Sequence, residues 1–257
     1  MQGVVFLGDR ELEIQNFTDP TPGPEEVVLE IRASGMCGSD LKFYRPRGGA
    51  ASLGLVGDGN PVIAGHEPCG VVAEVGSRVN SETAQVGGRV MVHHYLGCGE
   101  CTHCVSGWSQ LCLHSVTVYG ATGHGSHAQF MKVAASTLVS LPDELSFSAG
   151  AAISCGTGTA FGALRRIDLS SDDTIAIFGQ GPVGLSATQL ASAMNARVIA
   201  LDISPERLDR AKEFGAEETL DPSQDDAVQA IRELTRGQGA DMALDCSSAP
   251  TARLASV

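Results

Sequence analysis

Nowhere in its 257 residues does this sequence hold a run of about 18 apolar residues, so nothing in it reads as a membrane-spanning helix. A secretory signal is not expected either, because Met1 to Asp9 offers no basic stretch followed by a long apolar one. Positive charge is scarce, with 17 Lys and Arg against 30 Asp and Glu and a net charge of -13. Nucleic-acid phosphates would be repelled by such a surface, so the expected partner is a small molecule, with no nucleic acid and no membrane. Low-complexity tracts and internal repeats are missing as well. What is present, 43% hydrophobic and 18% charged residues, belongs to a globular protein with one large core or two of ordinary size, expected in the cytoplasm.

Eight cysteines stand out against these absences. In a chain of this length without a secretory signal, reduced thiols are expected, which leaves metal binding or catalysis. Cys98-x-x-Cys101-x-x-Cys104 is followed, after seven further residues, by Cys112. Two-residue gaps let successive sulfurs converge on one ion, and zinc takes four thiolates tetrahedrally. With all four positions filled by Cys, such a site is closed to substrate and structural. A pair of disulfides and an iron–sulfur cluster are the other readings of four close cysteines.

Three more features are bland singly: Cys37-Gly38-Ser39-Asp40, Gly65-His66-Glu67 and Cys155-Gly156. Together Cys37, His66 and Cys155 make a Cys₂His set, which leaves a fourth zinc position open for water or substrate. Asp40 and Glu67 are carboxylates placed to orient His66 or balance the charge of the ion. Cys69 and Cys246 fit neither set and are read as packing residues.

The texture changes along the chain. Up to about Leu141 short β-rich runs alternate with Gly and Pro: 11–16, 27–33, 70–75, 88–93 and 128–133. Ser146 or Ser148 then caps a helical segment through Ala149, Ala151, Ala152 and Ile153, and a second helix covers 159–166. Beyond the polar linker 168–173, strands 174–178, 197–201, 218–220 and 242–246 alternate with helices from 182, over 205–214 and over 225–236. That alternation predicts a parallel sheet with helical crossovers. Strand 174–178 runs into Gly179-Gln180-Gly181-Pro182-Val183-Gly184 and then an apolar-periodic helix, the context that gives G-x-G-x-x-G meaning. Gly179 permits the tight turn, Gly181 close approach of a pyrophosphate, and Gly184 close helix–strand packing. Asp202, 18 residues beyond Gly184, is placed to accept hydrogen bonds from the ribose hydroxyls and to repel a 2′-phosphate, favouring NAD over NADP. Arg207 nearby is the feature that would tolerate NADP.

With these motifs the chain resembles the zinc-containing medium-chain dehydrogenase/reductase family, which includes alcohol, polyol and threonine dehydrogenases. The resemblance implies a GroES-like β domain over 1–155 holding both zinc sites, followed by a Rossmann-type doubly wound parallel sheet over 156–257. It implies hydride transfer between an alcohol and NAD, with one catalytic zinc at Cys37, His66 and Cys155 and one structural zinc at the four-cysteine lobe. It further implies that Ser39 bonds the alcohol and receives its proton, and that Glu67 can approach the metal. In many relatives a histidine continues the proton relay at the position of Lys42, whose ammonium is poorly suited to relay protons at neutral pH. His94 is read as a wall of the substrate pocket, His93 as strand-end structure, His124 and His127 as turn residues, and loop 45–60 as part of the pocket wall. A dinucleotide-binding sheet has six strands, of which four are legible before Val257. The expected Rossmann domain is therefore incomplete, which keeps a non-catalytic zinc- or nucleotide-binding remnant, or completion by another chain, as alternatives. Family homo-oligomers commonly use the late strands, so oligomeric state stays open.

Overall fold

The structure, a computed structural model, describes residues 1–49, 60–82, 84–224, 226–247 and 249–255. Most of the loop expected to wall the pocket, 50–59, lies outside them. Contacts divide the chain into two compact units, Met1–Cys155 and Gly156–Val257.

The first unit opens with a hairpin of β1 (Gln2–Gly8) and β2 (Glu11–Asn16). β3 (Glu26–Gly35) leads into helix α1 (Gly38–Tyr44), followed by β4 (Glu67–Val75) and β5 (Arg89–Val92). Short β6 (Tyr95–Leu96) and β7 (Thr117–Val118) pair across the cysteine lobe, which contains helix α2 (Thr102–Val105). β8 (Phe130–Ala134), β9 (Leu138–Ser140) and helix α3 (Phe147–Ala152) complete the unit. Its main sheet is antiparallel, in the order β8-β3-β4-β5-β9. β3 is an interior strand, between β8 and β4, and its run Val27-Val28-Leu29 is apolar without interruption with all three residues buried. Val27 and Leu29 pack with Val72, Val90, Val92, Met131 and Val133. A second cluster, Cys69, Met91, Leu141 and Ala151, seats α3 on the sheet. Ser146 is the residue that caps α3, its Oγ accepting the Ala149 N–H at 3.1 Å.

A π-helical stretch, Ile153–Thr157, runs from the first unit into helix α4 (Gly158–Arg166) of the second. There β10 (Thr174–Phe178), α5 (Pro182–Ala193), β11 (Arg197–Leu201), α6 (Pro205–Glu213), β12 (Glu218–Leu220), α7 (Ala227–Leu234), β13 (Met242–Asp245) and α8 (Pro250–Ala255) alternate. The four described strands are parallel, in the order β12-β11-β10-β13. Ile175 and Ile177 of β10 face a cluster with Leu164, Ala187, Ala191 and Val198, while Ala176 and Phe178 face another with Ile199, Leu201 and Ile231. Both faces of the sheet are thus covered, which explains why its strands read as unbroken apolar runs and not as alternations. α7 is shorter than the sequence predicts because Asp226 caps it, its Oδ1 accepting the N–H groups of Val228 and Gln229 at 3.0 and 3.1 Å.

Truncating a side chain sealed in one of these clusters removes contacts that the packed sheet cannot recover. Ile177→Ala is therefore expected to cost about 2–5 kcal/mol, read as a lowered denaturation midpoint in urea.

Candidate active site

In the cysteine lobe, Cys101 starts α2, Cys104 lies within it, and a 3₁₀ turn over Ser109–Leu111 delivers Cys112. The four sulfurs lie within 4.8 Å of one another, and the pairs Cys98–Cys104 and Cys101–Cys112 are each 3.9 Å apart. A disulfide requires about 2.05 Å, whereas the edge of a tetrahedron of thiolates about 2.3 Å from one zinc is about 3.8 Å. The spacing therefore fits a single tetrahedral ion; a multi-iron cluster would hold the sulfurs further apart. Backbone N–H groups of Cys98 and Cys101 donate to the sulfurs of Cys112 and Cys98, each at 3.3 Å. The Cys98 and His114 amides bring the Cys112 thiol down to about 6. Donors of this kind stabilise thiolate, the form that binds metal.

The second cluster comes from three places in the fold. Cys37 follows β3 and caps α1, His66 immediately precedes β4, Glu67 opens that strand, and Cys155 sits in the π-helical turn. Their ligand atoms also lie within 4.8 Å of one another, with Cys37 and Cys155 sulfurs 3.9 Å apart. His66, Glu67 and Cys155 are buried. Asp40, fully buried, accepts the Cys37 backbone N–H on Oδ2 at 2.7 Å and faces His66 Nδ1 with Oδ1 at 3.1 Å. That contact leaves Nε2 as the ring atom available to a metal. Ser39 Oγ stands 3.8 Å from Cys37 Sγ.

The protonation of this cluster follows from its crowding. Hydrogen bonds from Cys155 and His66 hold the Cys37 thiol down to about 3. Burial works against a charged His66, but Asp40 and the Cys37 thiolate outweigh it and raise the ring to about 10. Burial and the nearby Cys37 thiolate lift Glu67 to about 7. Cys155 is driven upward as the donor to Cys37 and by burial. Shared protons thus neutralise a dense set of buried anionic ligands, the place a divalent cation takes in a Cys₂His site. The donor sets of both clusters fit zinc, one closed and one with three strong ligands beside a carboxylate.

His94 lies against this site and not merely near it. Its ring is 5.0 Å from that of His66 and 4.2 Å from Tyr95, and burial together with the His66 charge keeps it neutral down to about 4. His93 instead bonds Ser109 of the cysteine lobe through Nε2 at 3.1 Å. Lys42 is exposed on α1. His124 Nδ1 accepts the Ile63 N–H at 3.2 Å, whereas His127 engages Ser34 at 2.6 Å, a partnership that a turn reading of His127 did not contain.

In the second unit Gly179 turns with φ +87°, and a Cβ on Gly184 would collide with the Gly179 carbonyl. Gly181 caps α5, Pro182 takes its first position and Val183 packs on the core. The free N–H groups at this helix start suit a pyrophosphate. A cavity of about 460 Å³ extends from Gly179 and Gly181 past Asp202, Ile203 and Arg207 to Asp226 and Cys246. Asp202 is buried, accepting the N–H of Gln180 at 2.6 Å and of Ser204 at 2.9 Å, with Arg207 Nη1 3.6 Å away. Cys246, taken from the sequence as packing alone, also lines this cavity.

Two outcomes are expected. Zinc filling the Cys37 cluster at pH 7.5 should displace about two protons, from His66 and Cys155, since Cys37 is already a thiolate; calorimetry in buffers of different ionisation enthalpy counts them, and zero release contradicts this protonation scheme. If Asp202 faces the adenosine ribose, as the sequence leads one to expect, Asp202→Ser removes a carboxylate that would repel a 2′-phosphate and releases Arg207. The ratio of NADPH to NADH dissociation constants, read by nucleotide fluorescence, should then fall roughly 100-fold.

Residues 23–143 match the alcohol dehydrogenase GroES-like domain, and residues 182–257 match the zinc-binding dehydrogenase domain. The chain is 36% identical over 261 residues to an uncharacterized zinc-type alcohol dehydrogenase-like protein, YphC, of Escherichia coli strain K12, covering 99% of this chain and 72% of that one. It is 34% identical to a sorbitol dehydrogenase of Bacillus subtilis strain 168, covering 98% of this chain and 70% of the relative. Among solved structures, the alcohol dehydrogenase TADH from Thermus sp. ATN1 superposes with a TM-score of 0.88 at 28% identity, over 100% of this chain and 74% of that one. Two matched domains, a closed and an open cysteine-based metal cluster and a dinucleotide fingerprint agree: the chain belongs to the zinc-binding, medium-chain alcohol dehydrogenase family of oxidoreductases.

Proposed function

We infer that the chain oxidises the carbinol of a small alcohol or polyol with NAD, or reduces the corresponding carbonyl, at the Cys37–His66–Cys155 cluster. The observation that carries this reading is the asymmetry between the two metal sites. The lobe offers four sulfurs and no room for a further ligand, while the buried Cys₂His set sits beside Glu67 and a hydroxyl. The unit Met1–Cys155 is accordingly read as the catalytic domain with both zincs, and Gly156–Val257 as the NAD-binding domain. Polyols are included because one relative is a sorbitol dehydrogenase. A reducing, cytoplasmic setting suits eight cysteines, six of them thiolate ligands in the two sites and two, Cys69 and Cys246, free thiols. Among the described residues no helix is long and apolar enough to cross a membrane.

When bound, zinc supplies the Lewis acidity that makes an alcohol hydroxyl acidic near neutral pH, and NAD supplies the hydride acceptor. The chain's residues do the rest. Ser39 Oγ accepts the hydroxyl proton and passes it toward solvent. Asp40 orients His66 and pins Cys37 through its backbone, so that two ligands keep their angle whatever the substrate does. Glu67, whose carboxylate lies within 4.8 Å of the three ligand atoms, can approach the metal. His94 stays neutral and presents an uncharged wall beside His66. In the second unit the start of α5 holds the pyrophosphate, with Asp202 on the adenosine ribose and Arg207 beside it.

Ser39→Ala removes the proton acceptor, and with it the 3.8 Å contact to Cys37, while every metal ligand stays in place. It is expected to lower kcat by roughly 10²–10⁴ for NADH formation with a panel of simple alcohols and polyols, while zinc content stays at that of the parent. Full activity in Ser39→Ala would exclude this role, and Cys37→Ala, which loses a ligand, marks the floor of the assay.

A further inference from the structure

We propose that His127 is a positioning residue for the Cys37–His66–Cys155 metal site, acting through Ser34 and Gly65; the proposal rests on the assignment of that site given above. The loop carrying His127 runs backbone to backbone with the segment before His66. Amides of Gly125, His127 and Ser126 donate to the carbonyls of Ile63, Ala64 and Gly65 at 2.7, 2.9 and 2.9 Å. That segment ends on Gly65, which adopts φ +93° and hands the chain to His66. A Cβ at position 65 would lie 2.6 Å from His127 Nδ1, so the imidazole fills the space of the side chain that Gly65 lacks. The same Nδ1 lies 2.6 Å from Ser34 Oγ, which is 2.7 Å from Ser126 Oγ. Ser34 stands on β3 three residues before Cys37, paired with Pro68, and its neighbour Gly35 pairs with Glu67. One ring therefore touches both chain segments that deliver Cys37 and His66.

The hydrogen bond also has a direction. His127 Nε2 is buried and has no partner among the described residues. A buried N–H left without an acceptor is rarer and costlier than a lone pair, so Nδ1 carries the proton and donates to Ser34, whose hydroxyl turns to Ser126. A phenyl ring would fill the slot with no orphaned nitrogen. What the imidazole adds is the tie to Ser34, and through it a fixed spacing between the strand end at Cys37 and the turn at His66.

The test follows zinc loss from the full chain to a chromophoric chelator, scoring the two sites separately. His127→Phe keeps the ring and breaks the bond; Ser34→Ala breaks the same bond with the ring untouched, so poor folding of the first variant leaves the test intact. Each is expected to speed release from the Cys37–His66–Cys155 site roughly tenfold and to leave the four-thiolate site at the parent rate. The double variant should match Ser34→Ala, which already loses the His127 bond together with that to Ser126. Cobalt in the open site should show the same altered visible band in all three. Release unchanged at both sites, acceleration shared equally by both, or a double variant with the product of the two single effects overturns the role of His127. A parent chain that binds a single zinc overturns the site assignment itself.

Discussion

A fully buried carboxylate needs partners, and Asp40 has two: the backbone N–H of Cys37 and the ring of His66. Burying a carboxylate is costly unless it is paired and hydrogen-bonded, so these contacts come as a set. The first closes the start of α1 and aims Cys37; the second turns His66 so that its other nitrogen meets the sulfurs. The strand end before Cys37 and the strand start after His66 are then held in register by β3 and β4, where Gly35 pairs with Glu67. The chemistry of the site depends on this sheet edge. A shift of one residue in either strand would present the wrong face and leave Asp40 buried without its partners.

The two metal clusters are built on opposite principles. In the lobe, four sulfurs sit on consecutive short turns, local amides stabilise the thiolates, and little beyond residues 98–112 is needed. Ligands so close in sequence lose little chain entropy on closing around an ion. The Cys37 cluster gathers ligands separated by up to 118 residues, so its geometry is set by the sheet, by α1 and by the π-helical turn. Dependence on distant elements makes such a site harder to hold together, and it also allows a carboxylate and a hydroxyl to be placed beside the ion without filling its last position.

Legibility from sequence followed the same division. The lobe could be read outright because its ligands fall within one short loop at metal spacing. The alternating β/α half was equally legible: Ile175, Ala176, Ile177 and Phe178 form an apolar run that only a strand covered on both faces requires, and the glycines follow it directly. Cys37, His66 and Cys155 were individually ordinary, and periodicity could not bring them together; the family resemblance did. β6, β7 and β9 were not read, being short; β1 was not read either, although it ends on the turn pair Gly8-Asp9. The bond between His127 and Ser34 had no sequence signal at all, since it joins residues 93 apart that contribute to no motif.

The nucleotide half shows why one residue can serve fold and recognition together. Asp202 leaves β11 with one oxygen on the Gln180 amide, inside the glycine turn, and the other on Ser204. The carboxylate thereby ties the glycine turn, proposed to receive a pyrophosphate, to the strand end proposed to receive a ribose. Gln180, fully buried, is itself held, its amide nitrogen donating to Ile177 O at 3.0 Å and its carbonyl accepting from Thr188 at 2.9 Å. A carboxylate oxygen has room for more than one donor, so Asp202 can bind sugar hydroxyls without giving up the turn. Its negative charge sits on the cavity wall where the fold uses it to hold the turn, and the proposed discrimination against an extra phosphate would follow from the same placement.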